Sequence, residues 1–188
     1  MDDSEDSLND IILRAKSGDR SAFDILYRLY VTPVYRYVWI RLRNKEDAED
    51  VVADTFLKAY QALSRYEHEK ATMLPYLFTI ARNLLINHTK KKRPEGHLPE
   101  EMDRHAASDV TSQMATDREL SKELKNAMDV LTETEREVIE LRFFGEQTYA
   151  EIAVTLDKRE DAVRQHVARA MKKMKAKMEE GGSGRTHA

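Results

Sequence analysis

Asn83 and Asn87 stand one helical turn apart, and Lys90 and Lys91 follow a turn later. Amides hydrogen-bond base edges and cations hold phosphates. A helix carrying both on one face therefore has the chemistry to hold a nucleic-acid strand. Nothing between Tyr76 and Pro94 is acidic, whereas Arg82, Lys90, Lys91, Lys92 and Arg93 are basic. Just upstream, SRYEHEKA places Tyr66 and His68 beside Arg65 and Lys70. Aromatic and cationic groups in one loop suit the stacking of an unpaired base. The plain alternatives are a solvated helix end with a lysine run and a surface loop anchored by one tyrosine.

A second set lies near the end of the chain. On a helical wheel Gln165, Arg169 and Lys172 share one face, flanked by Arg164 and His166. Glutamine and arginine pair with adenine and guanine edges in a major groove. Lys173, Lys175 and Lys177, further along, suit phosphates. Val163, Val167, Ala170, Met171, Met174 and Met178 form the opposite, apolar face, expected to pack on Ile152 and Leu156. The alternative is a basic amphipathic helix for a protein partner.

The elements that must position these groups are all helical. Leu8, Ile11, Ile12 and Ala15 mark a first short helix, stopped at Ser17-Gly18-Asp19. Ser21 with Asp24 predicts the cap of a long helix towards Arg43, which Pro33 should kink or interrupt. Asn44 should cap a third helix, to Ser64, whose core face is Ala48, Val51, Val52, Thr55, Phe56, Ala59 and Leu63. Glu46, Asp47, Glu49, Asp50 and Asp54 crowd its first half. They suit the helix dipole, and they also make an acidic surface. Thr72 and Pro75 open the fourth helix, with Leu74, Leu77, Phe78, Ala81, Leu84, Leu85 and His88 on its core face. Residues 94–116 hold Pro94, Gly96 and Pro99 without an apolar period and read as a flexible linker.

Four more helices follow. Leu120, Leu124, Ala127, Met128 and Leu131 mark the first. Thr132 with Glu135, and Thr148 with Glu151, are capping-box pairs for the next two. A turn at Asp157-Lys158-Arg159 leads to the last, from about Glu160 to Met178. Capped helix, short turn and basic helix have the spacing of a helix-turn-helix. The expected fold is all-α: a helical domain over 1–93, a linker over 94–116, a helix-turn-helix domain over 117–180, and a flexible tail over 181–188.

Composition excludes much else. The chain of 188 residues has no cysteine, so it forms no disulfide framework and uses no thiolate nucleophile or cysteine zinc site. No apolar run approaches the length of a membrane span. The acidic start MDDSEDSLND is not a secretory signal, and a cytoplasmic protein without membrane insertion is expected. The net charge of −3 hides a segregation: residues 158–177 hold eight bases against two acids. Two separate basic helices in a mildly acidic protein suggest two contacts with one polyanion.

With these motifs in view, the sequence resembles bacterial RNA polymerase sigma factors of the extracytoplasmic function (ECF) group. The resemblance runs from about Leu8 to Met178. DAEDVVADTFLKAY (Asp47–Tyr60) resembles the polymerase-binding helix of region two. YLFTIARNLLINHTKKKR (Tyr76–Arg93) resembles the segment that melts and reads the minus-ten element. Leu131–Lys175 resembles region four, which reads the minus-thirty-five element. The resemblance implies that Asp47, Glu49, Asp50, Asp54 and Lys58 meet polymerase core. It places Tyr66 and His68 in the loop that captures a flipped base, with Asn83 and Asn87 lining that site. Arg82, Lys90, Lys91 and Arg93 would hold the strand's backbone. Arg164, Gln165, His166 and Arg169 would be recognition positions, with Lys172 and Lys173 beside them.

The implied partners are RNA polymerase core, through the clamp helices of its largest subunit and the flap of the second, and promoter DNA, duplex and single-stranded. An anti-sigma factor is also implied; no cofactor, metal or catalytic residue is. Three positions depart from the family pattern: Ala53 stands where glutamine is common, Tyr76 where tryptophan is common, and Asp161-Ala162 where Gly-Thr is usual. A stand-alone helix-turn-helix regulator with a ligand-sensing or dimerising first domain is the rival reading. An enzyme acting on nucleic acid lacks support, because the six histidines are scattered and the carboxylates form no site motif.

Overall fold

Two helical layers meet along one seam. The computed structural model describes residues 3–66, 73–91 and 123–183. The first half comprises α1 (Asp3–Lys16), α2 (Arg20–Leu42), α3 (Lys45–Ala62), a 3-10 turn (Leu63–Arg65) and α4 (Leu74–Lys91). The second comprises α5 (123–129), α6 (Glu133–Ile139), a π-helical turn (Glu140–Phe144), α7 (Tyr149–Leu156) and α8 (Glu160–Ser183). In the first half α2 and α4 both pack on α3, and α1 packs on α2; in the second α6 and α7 pack on α8. The described residues contain no strand.

The apolar stripes fall where the periodicity places them. Leu26, Val34 and Val38 of α2 are fully buried, and all seven expected core residues of the third helix are buried. Leu77, Phe78 and Ala81 of α4 are fully buried, while Leu84 and His88 are half-buried. Burying a side chain such as Phe78 stabilises the fold by about 2 kcal/mol. Both predicted capping boxes form: Thr132 with Glu135 and Thr148 with Glu151 each exchange side-chain and backbone hydrogen bonds. Asn44 caps α3 by accepting from the Asp47 amide at 3.0 Å.

Four expectations are corrected. The cap of α2 is Asp19, not Ser21; its carboxylate accepts from the amides of Ser21 and Ala22. A carboxylate at a helix N-terminus also meets the positive end of the dipole, and Arg14 steadies it at 2.7 Å. Pro33 does not interrupt α2, which runs unbroken for 23 residues. The ring costs one backbone hydrogen bond, offset by burial of Tyr30, Pro33, Val34 and Tyr37 around it. The last helix passes Met178 and reaches Ser183, so the first residues of the expected tail are helical. Met171 and Met178 are each 46% exposed: Met171 lies at the edge of the face that buries Ala170 and Met174, and Met178 lies one turn beyond Met174. Thr72, His68, Arg93 and the 94–116 linker lie outside the described residues.

The turn between α7 and α8 carries a stability prediction. Asp157 closes α7 in the left-handed region at φ 51°, with its amide bonded to carbonyls of Ala153 and Val154. Glycine adopts that conformation without a Cβ penalty. Asp157→Gly is expected to stabilise the protein by about 0.5–1 kcal/mol, read as a higher urea midpoint. An unchanged or lower midpoint would contradict the backbone argument.

Candidate nucleic-acid interface

α4 lies with its core face on α2 and α3 and its amide stripe outward. Asn83 and Asn87 are exposed, and Ile86 between them is 36% exposed. Lys90 and Lys91 extend the same helix. Tyr66 is half-buried and its ring packs on Tyr76 at 4.7 Å, while its carbonyl accepts from the Lys16 ammonium. Burial raises the Tyr66 phenol above its ordinary value, with Tyr76 adding to the effect. The pair ties Tyr66, next to the 3-10 turn, to the start of α4.

The acidic face of α3 divides in two. Glu49, Asp50, Asp54 and Lys58 are exposed, together with Ala53 and the 54%-exposed Leu57. Asp47 is half-buried instead and faces His88 of α4 at 3.4 Å. It joins the start of α3 to the end of α4, a contact its position within the acidic run did not suggest. Leu57 gives this face an apolar centre that charge counting overlooked.

On α8, Gln165, Arg169 and Lys172 point outward, and the Arg169 guanidinium reaches Gln165 Oε1 at 3.4 Å. His166 is half-buried. Arg164 pairs with Glu160 one turn earlier and lies over the Tyr149 ring at 4.6 Å. Arg142 lies 5.2 Å from the same ring. Tyr149 therefore joins the π-helical turn, α7 and α8. Asp161 sits in the first turn of α8 and pairs with Arg159 at 2.7 Å, so its charge is locally compensated.

Lys173 is engaged within the protein. Its ammonium donates to Glu135 Oε2 at 2.7 Å, and Glu135 is buried. The Lys173 bond, and then the Thr132 amide, hold the Glu135 carboxyl below the usual glutamate range. The capping box of α6 thus doubles as an anchor for α8.

Arg82 is also engaged. Its Nε donates to Glu137 Oε1 at 2.8 Å, across the seam between the two halves. Arg41 of α2 joins the cluster, with Nε 2.6 Å from Glu140 and Nη2 3.3 Å from Glu137. Burial pushes the Glu140 carboxyl up despite the opposing pull of Arg41. The Arg82–Glu137 and Arg41–Glu140 partners lie 55 and 99 residues apart. Such pairs carry no local periodicity for sequence reading to find.

Among the described residues no group of three ligating side chains suits a metal ion, and no helix is long and apolar enough to cross a membrane.

Comparison with known proteins places both surfaces in one family. Residues 26–95 match the model of sigma-70 region 2, and residues 127–176 match sigma-70 region 4. The chain is 30% identical over 165 residues to the ECF RNA polymerase sigma factor BldN of Streptomyces coelicolor, covering 87% of this chain and 62% of that one. It is 28% identical over 153 residues to the ECF sigma factor SigM of Bacillus subtilis, covering 81% of this chain and 93% of that one. The chain belongs to the sigma-70 family, in its extracytoplasmic function group. This sigma factor shares its fold with CnrH, solved with the cytosolic domain of CnrY, at a TM-score of 0.62 and 24% identity over 88% of this chain and 93% of that one. It likewise resembles RpoE of Bartonella quintana, solved with the anti-sigma factor NepR, at a TM-score of 0.63 and 21% identity over 84% and 96% of the two chains. Within this sigma factor the amide stripe and the acidic α3 face fall in the region-2 match, and Gln165 and Arg169 fall in the region-4 match.

Proposed function

We propose that this sigma factor binds RNA polymerase core and gives it a promoter address. The core supplies the catalysis, in the cytoplasm, and this chain supplies two reading heads on residues 1–93 and 117–180, joined by 94–116. The exposed face of α3, with Glu49, Asp50, Asp54 and Lys58, would meet the clamp helices. The loop with Tyr66 and His68, and the Asn83–Asn87 stripe, would hold unstacked minus-ten bases, which makes melting favourable after binding. Arg93, Lys90 and Lys91 would neutralise phosphates and set the salt dependence. Gln165 and Arg169 would read the minus-thirty-five duplex, with Arg164, His166 and Lys172 beside them. The region-four domain would also meet the flap of the second-largest subunit. An anti-sigma factor would hold the protein inactive, as the NepR complex of the Bartonella relative suggests.

One observation carries this reading. A single chain presents an outward amide stripe on α4 and an outward glutamine and arginine on a capped helix-turn-helix. A stand-alone regulator has no use for the first. The test is reconstitution: purified protein mixed with core should give run-off transcripts from a subset of promoters. Tight DNA binding by the protein alone, with no core-dependent transcript, would overturn the assignment.

A further inference from the structure

The outward stripe of α8 begins one turn before Gln165. At about 100° per residue, Asp161, Gln165, Ala168, Arg169 and Lys172 fall within one arc of the helix, and all five are exposed. Val163, Val167, Ala170 and Met174 are buried on the other side. Asp161 therefore heads the same stripe as Gln165 and Arg169, in the turn that meets base edges when a recognition helix enters a major groove.

Its charge is out of keeping with the rest of the helix face. Residues 162–178 hold six lysines and arginines and no acid. The two acids that open α8 are also held differently. Glu160 is half-buried, and its carboxylate is taken by Arg164, which lies over Tyr149. Asp161 pairs with Arg159, and those side chains are 67% and 85% exposed. So exposed a pair adds little stability and can rearrange when another donor arrives. A carboxylate in a first helical turn also suits the dipole, but Glu160 already supplies one, and the dipole gives no reason to place a second on the outward stripe.

A carboxylate accepts hydrogen bonds and donates none. In the major groove guanine presents the acceptors N7 and O6, and thymine presents O4. Adenine presents its N6 amine with the acceptor N7 beside it, whereas cytosine presents the N4 amine without a neighbouring acceptor. Phosphates on both sides raise the cost of a carboxylate that finds no donor. Repulsion from the wrong bases thus selects as strongly as the bond to the right one. Arg159 can turn to a phosphate once a base amine takes its place beside Asp161.

We propose that Asp161 is a specificity-determining residue of this sigma factor: its carboxylate accepts from the N4 amine of a cytosine in the minus-thirty-five duplex. Four residues of helix advance about 6 Å, less than two base-pair steps of about 3.4 Å each, so this cytosine lies within two base pairs of the base met by Gln165. The assignment to that promoter element rests on the sigma-factor reading; the base preference can be read without polymerase.

The test uses the full-length protein and a pool of promoter duplexes randomised over the minus-thirty-five region. The pool is sequenced after retention by the sigma factor alone at low salt, and again after run-off transcription with core. The parent should enrich cytosine about tenfold at one position, and Asp161→Ala and Asp161→Asn should lose that enrichment at that position only. N4-methylcytosine there, which puts a methyl group in place of the amine hydrogen facing the groove, should weaken parent binding about tenfold and leave Asp161→Ala unaffected. Arg159→Ala should lower binding to every sequence a few-fold and keep the cytosine preference. The urea midpoint reports a purely helix-stabilising role: Asp161 variants with a lower midpoint and an intact cytosine preference would overturn the proposal. So would a parent without that preference, or an N4-methyl effect that persists in Asp161→Ala. Core-dependent transcripts without an Asp161-dependent cytosine would leave the sigma reading standing and remove this one. An Asp161-dependent cytosine in the retained pool, with no core-dependent transcript, would do the reverse.

Discussion

Run-off transcription by an Asn83→Ala/Asn87→Ala protein is expected to fall by about 30-fold, from the loss of about 1 kcal/mol of base contact at each position. Both side chains are exposed on α4. Their removal leaves the core of Leu77, Phe78 and Ala81 untouched and should change stability by less than about 0.5 kcal/mol. The loss should fall on the strand-opening step. Permanganate reactivity of thymines in the minus-ten element should drop, while holoenzyme binding to a minus-thirty-five duplex fragment stays level. A premelted template, with the minus-ten bases mismatched, should recover only part of the activity, because capture as well as melting is impaired. Normal promoter opening by the double variant would remove the amide stripe from the mechanism.

The second large effect separates two residues that lie one turn apart on α8. Arg169 is exposed and its guanidinium reaches Gln165, so Arg169→Ala should relax discrimination at one base pair by about 1–3 kcal/mol, with the fold unchanged. Read from sequence, Lys173→Ala would weaken binding to all promoters alike. The structure changes that expectation, because Lys173 is the partner of buried Glu135. Lys173→Ala should destabilise the helix-turn-helix by about 1 kcal/mol, discounted for the half-exposed ammonium. The effect should depend on pH with a definite sign. The folded state depresses the Glu135 carboxyl, so its contribution is present above the ordinary glutamate value of 4.5 and is lost as pH falls through the lower, folded value. The stability gap between parent and Lys173→Ala proteins should therefore be full at neutral pH and close in acid. A gap unchanged down to pH ~3, below the ordinary carboxylate range, would show that the ion pair is not its source. Lys172, exposed on the outer face, is then the expected generic phosphate contact, and Lys172→Ala should weaken binding to all promoters alike.

Much of this protein is legible from local order along the chain. Helix periodicity, capping boxes and basic runs are properties of neighbours within four residues, and burial tests them directly. Asn44, Thr132 and Thr148 cap as their spacing predicts. The outward direction of Asn83, Asn87, Gln165 and Arg169 follows once the apolar stripe of each helix is known. The family resemblance rests on the same local motifs, which is why the matched regions 26–95 and 127–176 agree with it. Errors arose where two local signals competed. Ser21 offered a capping pattern, yet the carboxylate of Asp19 lies at the helix end with Arg14 beside it. Pro33 signalled a break, yet its surroundings are buried on both sides and hold the helix together.

The sequence by itself determined which residues face the core and which face outward, because that depends on helical phase alone. Only the tertiary structure decided which of the outward charges are free. Asp47, Arg82 and Lys173 read as interface residues by type and position, but each meets a partner from a different helix, at His88, Glu137 and Glu135. Charge pairing between distant segments has no period and no spacing rule. It is set by how the helices pack, and packing here depends on contacts such as Phe78 against Gly145. Helical phase indicates which charges face outward; only the packed structure shows Arg41 and Arg82 meeting Glu137 and Glu140 across the two halves.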